Sequence, residues 1–222
     1  MRTRWRLSQR EGQSLVEMAM TLPLLLLMFV GLIEVGAALR NYLVVVNANR
    51  EGTRMAARGQ WFDSDEEMEF IAERVMAAAG IENKGGVYVP FMRTESSAGL
   101  PANTTIAVHY VKVPDQINLG VPEYEGYEIG NSRMFGPHQT SRVDLDAVGE
   151  EAALANYNFN QEYFASAGAI LEIPSEDNFV IVEVWYAHEQ WLKLPIFTAI
   201  LPETFTLYAQ TRMRVTLDSR IQ

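Results

Sequence analysis

The chain has 222 residues, which is enough for one domain of ordinary size together with a membrane anchor. Its formal net charge is −10, and the body of the chain shows no basic stripe, which argues against nucleic-acid binding because phosphate contacts need clustered lysine and arginine. It contains no cysteine, so disulfides and thiolate metal sites are excluded.

The first predicted segment is a basic leader, residues 1–12, which carries four arginines and one glutamate. Its net charge is therefore +3, and the remaining residues carry −13. Arginine-rich flanks of a membrane helix stay in the cytoplasm. The leader therefore predicts a single-pass protein with its N-terminus in the cytoplasm and its C-terminal domain on the other side of the membrane.

The second segment, residues 13–58, is predicted to form one long helix whose first half crosses the membrane. Met18 to Ile33 contains no charged residue, and these 16 residues span about 24 Å of helix. The apolar run resumes after Glu34 and reaches Leu39, which makes it long enough for a hydrocarbon core of ~30 Å. The segment is therefore predicted to be a transmembrane helix.

The second half of the helix is predicted to pack against the domain. Gly52 would permit close approach of another backbone, and five residues are predicted to lie broadly on one packed side of the helix. They are Tyr42, Val45, Val46, Asn49 and Met55.

Glu17 is the residue of this helix with the strongest indication of a role, because a carboxylate so close to the bilayer is costly and is usually paired or functional. If the chain were cut after Gly12, Gln13 would carry a new α-amino group. That amine in one subunit would neutralise the Glu17 carboxylate of its neighbour and fix the axial register. The alternative is a glutamate whose side chain simply extends to the cytoplasmic interface. The sequence leaves both interpretations open.

A second helix is predicted to begin near Asp63 and to end at Gly80. Ser64 and Glu67 have the spacing of a capping box, and apolar residues follow at helical spacing. The alternation of Asp63, Asp65 and Glu67 is also compatible with a calcium loop, but the glycine and the distal glutamate of a calcium hand are missing. Capping is the preferred interpretation.

Four later segments are rich in β-branched and aromatic residues and are predicted to be strands. They are residues 87–92, 104–113, 179–186 and 205–215. The last alternates strictly, from Phe205 to Val215, and predicts one face for a core and one face for water.

Between these strands, residues 114–136 are predicted to be a loop because of their glycines and prolines, and residues 141–156 a short helix. Both lie in a predicted insertion at about 114–175. The predicted fold class is α+β: a long N-terminal membrane helix followed by a helix and a small antiparallel β-sheet. The sheet belongs to an extracytoplasmic domain, residues 59–222.

The sequence contains no recognisable catalytic or metal-binding motif. The histidines are far apart in the chain, and those in predicted strands are interpreted as residues of the sheet surface rather than metal ligands. They are His109, His138 and His188. Three aromatic residues could form a ligand surface but are interpreted as packing residues. They are Trp185, Tyr186 and Trp191.

Several stretches closely resemble the TadE-like family. They are residues 12–17 (GQSLVE), 22–27 (LPLLLL), 31–36 (GLIEVG) and 47–54 (NANREGTR), and residues 205–215 look like the family's final strand. Members of this family are pseudopilins, or minor pilins, of tight-adherence (Flp-type) type IV pilus systems. The resemblance therefore implies a pilin-like structural or assembly subunit rather than an enzyme.

The resemblance also implies how such a subunit is processed and with what it assembles. It implies cleavage by a prepilin peptidase after Gly12, so that the mature chain begins at Gln13. The expected partners are other pilin-like subunits, the inner-membrane pilus assembly platform, the prepilin peptidase and membrane lipid. The expected location is the bacterial cytoplasmic membrane, and incorporation of the mature chain into an extracellular pilus is left open. No cofactor, no metal and no nucleic acid are expected.

Two alternatives remain at this stage, and both make the protein a binding or sensor domain outside a pilus. In one, residues 1–12 are retained and the domain is an uncleaved membrane-anchored protein. In the other, the small residues Val35-Gly36-Ala37 are a conventional signal-peptidase site, and a soluble product begins at Ala38. The three readings differ in where the mature chain begins.

Overall fold

A computed structural model describes residues 9–58, 65–79, 103–138, 140–168, 178–190, 193, 198 and 202–215. Side chains are described from Gly12 onwards in the first helix and from Met68 onwards in the second. The chain divides into two compact units, of which the larger holds residues 42–188 and 206–222 and the smaller holds residues 1–41 and 189–205.

Helix α1, Gln9–Ala56, dominates the N-terminal part of the chain. Its 48 residues correspond to a length of about 72 Å. Pro23 lies inside the helix. Membrane helices tolerate an internal proline, because neighbouring groups can satisfy the backbone carbonyl that loses its hydrogen bond. Helix α2, Asp65–Ala78, follows. The predicted caps of α2, Ser64 and Glu67, lie outside the residues whose side chains are described.

The remaining elements form a sheet, a small hairpin and one more helix. They are β1 (Thr104–Lys112), β2 (Ile117–Asn118), β3 (Val121–Pro122), β4 (Glu128–Phe135), α3 (Leu145–Ala167), β5 (Phe179–Glu189) and β6 (Thr204–Arg214). The four longer strands form one sheet in the order β4-β1-β5-β6, and β1 is antiparallel to both β4 and β5. The short strands β2 and β3 pair with each other. The predicted α+β class is therefore confirmed.

The two faces of the sheet carry separate apolar clusters. On the first face, Val108 of β1 lies opposite Val182 of β5, and both pack with Val45 of α1 and Ile71 of α2. On the second face, Val111 and Ile181 pack with Ala152 and Ala153 of α3. The sheet thus lies between a layer of two helices and a layer formed by α3, which explains why β1 and β5 are buried on both sides.

The predicted strands at 104–113, 179–186 and 205–215 are confirmed, and the one at 87–92 lies outside the described residues. The predicted core face of the last strand is also confirmed, because Ala209 and Val215 belong to the first-face cluster and the partly buried Leu207 and Met213 pack against it. The prediction of a loop at 114–136 is wrong in part, since β4 supplies an edge strand of the main sheet. Propensity fails there because cross-strand pairing with β1 stabilises a segment that is poor in β-branched residues.

Two helix predictions also need correction. The predicted helix at 141–156 is too short, because α3 continues to Ala167 and ends at Gly168, whose φ of 79° is the left-handed value of a helix C-cap. Asp144 caps its start by accepting a hydrogen bond from the Ala147 N–H. In α1, Tyr42 and Met55 were expected on the packed side but are about 40% exposed.

Gly52 of α1 packs directly against Val75 of α2. A Cβ at this position would overlap Cγ2 of Val75 and would lie 3.2 Å from the Val75 Cα. A valine side chain in a helix has one strongly preferred rotamer, so it cannot rotate away. The small residue that the sequence indicated for close approach is therefore required by packing.

We expect Gly52→Ala to lower the free energy of unfolding by about 1–3 kcal/mol, because overpacking costs more than the gain in helix propensity of ~1 kcal/mol. The measurement is thermal unfolding of the full chain in detergent. Adding Val75→Ala removes the overlapping methyl group, so the double variant should lose less stability than the sum of the two single variants. Additive losses would show that Gly52 does not act through Val75.

Candidate functional site

The three residues predicted to act in processing and assembly lie close together on the first described turns of α1. The Gln13 side-chain amide donates a hydrogen bond to the Glu17 carboxylate, with 3.2 Å between Nε2 and Oε1. Both residues and Gly12 are exposed, and a Cβ at Gly12 would have no neighbour within 4 Å. The Thr21 hydroxyl donates to the Glu17 carbonyl. This part of the chain therefore presents a carboxylate and its amide partner on an open helix surface.

Gln13 and Glu17 are four residues apart, and this spacing allows their side chains to interact. Residues four apart lie on the same side of a helix, so the Gln13 amide partly satisfies the Glu17 carboxylate within one chain. Cleavage of the Gly12–Gln13 peptide bond would add an α-amino cation to the same side of the helix. The geometry does not choose between a pairing with a neighbouring subunit and a carboxylate that extends to the interface, and both remain predictions.

Beyond Glu17, helix α1 carries a long apolar surface that no other described part of the chain covers. All residues from 12 to 26 are exposed, and the large apolar side chains remain exposed well beyond them. They include Leu15, Val16, Met18, Met20, Leu24, Leu25, Leu26, Met28, Phe29 and Leu32. Exposed apolar surface of this extent marks contact with lipid or with other proteins.

Within the described residues, α1 is the one helix that is long and apolar enough to cross a membrane. The candidate span is Gly12–Ala56, which contains a stretch of 18 residues with a mean hydropathy of 2.3, and only 11% of that stretch is buried. In the core helix of a soluble protein, most of such an apolar stretch would be buried. The predicted membrane anchor is thus supported by both composition and exposure.

A second polar site, which the sequence analysis missed, surrounds Glu183 on β5. Its side chain is 0% exposed, yet it accepts several hydrogen bonds. The His109 ring nitrogen Nε2 lies 2.9 Å from Glu183 Oε2, and the Ser141 hydroxyl donates to the same oxygen. The Tyr208 hydroxyl lies 2.6 Å from Oε1, and the Arg142 N–H donates to Oε1 at 3.1 Å. We call these five residues the Glu183 cluster.

The hydrogen bonds of this cluster fix its ionisation. Burial raises the pKa of Glu183, but the bonds from His109, Ser141, Tyr208 and the Arg142 N–H outweigh burial and hold the pKa below its usual range. Burial and the adjacent Glu183 carboxylate raise the pKa of Tyr208, so its hydroxyl stays protonated and donates. The cluster is therefore a buried carboxylate with a complete set of donors.

The Ser132 hydroxyl extends the cluster, because its Oγ lies 2.6 Å from His109 Nδ1. A serine, a histidine and a carboxylate in series have the members of a nucleophilic triad. Here, however, Ser132 and His109 face each other as a cross-strand pair of β4 and β1, and His109 is 1% exposed with both ring nitrogens engaged. The arrangement joins three strands to the segment before α3, and we interpret it as structural.

The other residues considered from sequence have clear positions. His109 and His188 are each 1% exposed, so their interpretation as sheet-surface residues is wrong. They are buried because β1 and β5 are central strands with helices or chain segments on both faces. The packing interpretation of Trp185 and Tyr186 is confirmed, and Trp191 lies outside the described residues. The described part of the chain contains no group of three side chains that could hold a metal ion.

The comparison with known protein families concerns only the N-terminal region. The family model of TadE-like proteins matches residues 12–54. This range covers the four N-terminal segments whose resemblance was noted from sequence, but not residues 205–215, whose resemblance to the family's final strand stays a prediction. No curated protein and no solved structure matches the chain. The match begins at Gly12 and includes both Gln13 and Glu17, so the matched region lies within the helix that carries the candidate site.

We expect Glu183→Gln to lower the free energy of unfolding by about 2–4 kcal/mol. The amide nitrogen cannot accept the bonds from His109 and Ser141, and a buried donor left unpaired costs ~1–3 kcal/mol. Chemical unfolding of the full chain in detergent measures the loss. Glu162→Gln, on an exposed position of α3, is the matched control and should change stability by less than about 0.5 kcal/mol. Equal effects of both variants would contradict the structural role of the cluster.

The lowered pKa of Glu183 also predicts a pH dependence. A carboxyl group whose folded pKa is depressed contributes stability above its unfolded pKa, and that contribution is lost as pH falls through the folded pKa. The wild-type chain should therefore lose stability below about pH 4.3, the ordinary pKa of glutamate. Glu183→Gln should lose less stability over the same range, as followed by melting temperature between pH 6 and pH 3. Parallel curves would show that another group governs acid unfolding.

Proposed function

Because the N-terminal helix matches the TadE-like family, we propose that this protein is a pilin-like subunit that takes part in the assembly of a tight-adherence type IV pilus. The observation that carries the proposal is the exposed apolar helix that begins with Gly12, Gln13 and Glu17. In this role the helix first anchors the chain in the membrane and then packs against the helices of other subunits. The protein acts by assembly and carries out no catalysis.

The length of α1 supports a division between a membrane part and a part that belongs to the domain. A hydrocarbon core of ~30 Å accommodates about 20 helical residues, whereas α1 has 48. If the membrane part begins near Gln13, it ends near Glu34, which is also where the helix first becomes buried in the chain. The basic leader places the N-terminus in the cytoplasm and the C-terminal domain outside it.

The same geometry supports processing after Gly12. The residue is exposed, a Cβ at this position would meet no described atom within 4 Å, and it lies within the first turns of α1, where helices fray easily. A prepilin peptidase would remove the basic leader and leave Gln13 as the first residue. The partners of the processed chain would be other pilin-like subunits, the inner-membrane assembly platform and lipid.

The competing function is a membrane-anchored or secreted binding domain outside a pilus. The family match disfavours the secreted form, because a product starting at Ala38 would lose residues 12–37, which are more than half of the matched segment. The anchored form differs from the proposal only in keeping residues 1–12. The two are distinguished by the N-terminus of the mature protein.

The proposal predicts that protein purified from native membranes begins at Gln13. Intact mass and N-terminal sequencing measure this directly. A start at Met1 would leave an uncleaved anchored domain, and a start at Ala38 would indicate a secreted one. Gly12→Leu should abolish processing without preventing membrane insertion, because the apolar span is unchanged.

The charge of Glu17 gives a second prediction. Glu17→Ala should impair pilus assembly while the chain still fractionates with membranes. Glu17→Gln is the matched variant, because it keeps the size of the side chain and a hydrogen-bond acceptor for Gln13 but removes the charge. If charge pairing between subunits matters, both variants should reduce surface pili. Normal pilus numbers in Glu17→Gln would reduce the role of Glu17 to local hydrogen bonding.

A further inference from the structure

The outer surface of α3 is acidic and partly apolar. Residues 114–168 contain nine acidic and two basic residues, a net charge of −7 out of −10 for the whole chain. The buried side of α3 is formed by small and amide residues such as Ala153 and Asn156. Glu150, Glu151 and Leu154 lie on the other side and are exposed, and Leu154 keeps 42% of its surface accessible. We call these three residues the acidic face.

The C-terminal half of α1 carries an opposite feature, which the sequence analysis overlooked when it found no basic stripe. Arg50 and Arg54 lie four residues apart and so align along one side of the helix, and Arg58, four residues further on, lies in the turn that follows α1. All three are exposed, whereas Val45 and Gly52 on the opposite side are buried in the domain. We call them the arginine row. Arg54 lies 2.7 Å from Glu51, but an exposed pair of this kind is weak and can exchange partners.

The acidic face and the arginine row cannot meet within one molecule. The α1 residues of the domain pack on the first face of the sheet, and α3 packs on the second face. The acidic face and the arginine row therefore point away from the sheet in opposite directions. Their charges are complementary, but only two separate molecules can bring them together. When the acidic face of one copy binds the arginine row of another, each copy still has one free surface. Further copies can bind there, so the contact produces an extended chain of copies.

We propose that the arginine row of one copy binds the acidic face of a second copy of this chain, in a head-to-tail contact between extracytoplasmic domains. Leu154 supplies apolar surface at the centre of the contact, and the arginine side chains cover it with their aliphatic stems. Exposed ion pairs are individually weak, so the contact depends on the membrane helices to hold the copies close together. The inference therefore rests on the proposed function.

The absence of cysteine from the sequence makes a cross-linking test unambiguous. The full chain carrying both Arg54→Cys and Glu150→Cys is expressed in its native membrane and oxidised, and its products are separated on a non-reducing gel. A head-to-tail contact predicts a ladder of dimers, trimers and larger species. Each single variant alone should stay monomeric through this contact, and the two single variants expressed together should give dimers but no ladder.

A matched control keeps Arg54→Cys and moves the second cysteine to α2 as Glu73→Cys, which replaces an exposed glutamate on the other helix layer. This pair should give no ladder. In the cross-linking chain, Glu151→Lys should remove the ladder, and adding Arg50→Glu should restore it by reversing both charges. Salt at 1 M, where the screening length is ~3 Å, should also suppress it. Melting temperatures close to wild type confirm that each variant is folded.

The outcomes separate this inference from the proposed function. A ladder that requires both cysteines and follows the charge reversals supports the contact. No ladder, an equal ladder in the Glu73→Cys control or a ladder indifferent to charge reversal overturns it. The N-terminus of the same sample is sequenced in parallel. A chain that starts at Gln13 and gives no ladder retains the pilus role and loses only this contact, whereas a start at Met1 overturns the pilus role whatever the gel shows.

Discussion

The length of α1 relative to the thickness of a membrane constrains every other part of the molecule. A helix of about 72 Å cannot be contained in a hydrocarbon core of ~30 Å, so more than half of it must leave the bilayer. The part that leaves needs a different surface from the part that stays. In the domain, α1 buries Val45, Ala48 and Ala56 in a core with α2 and the sheet. The helix is thus both the candidate membrane anchor and a structural element of the domain.

The Glu183 cluster shows how the second face of the sheet holds the segment that leads into α3. Ionised carboxylates are rarely buried, because desolvation costs more than a single hydrogen bond returns. Here the strands supply Glu183, His109 and Tyr208, and the connecting segment supplies Ser141 and the Arg142 N–H. Because the donors come from distant parts of the chain, the cluster requires their correct arrangement. It therefore favours one docking of α3 over others that the small apolar contacts of Ala152 and Ala153 would also permit.

The sequence predicts those parts of the fold that depend on local pattern. The apolar run of α1, the amphipathic α2 and the alternation of β6 were all predicted correctly, because helices and half-buried strands impose their period on the sequence. Strand β4 was missed because its stability comes from pairing with β1, and α3 was predicted too short because its buried side is formed by glycine, alanine and asparagine rather than large apolar residues. Glu183 and His109 are 74 residues apart, so no spacing could indicate their contact.

The candidate assembly site could be predicted for a different reason, which lies in the physics of the membrane. Lipid chains are as apolar as leucine, so a membrane helix gains nothing from restricting its apolar residues to one side. Residues 12 to 26 are exposed all round, and apolar pattern alone cannot show which side meets another subunit. Orientation must then come from the polar exceptions, since only they are costly when exposed to lipid. Gln13 and Glu17 are such exceptions, and their mutual hydrogen bond lowers that cost for a single chain. A partner that supplies a positive charge would lower it further, and on this ground we propose that this side of the helix faces a neighbouring subunit.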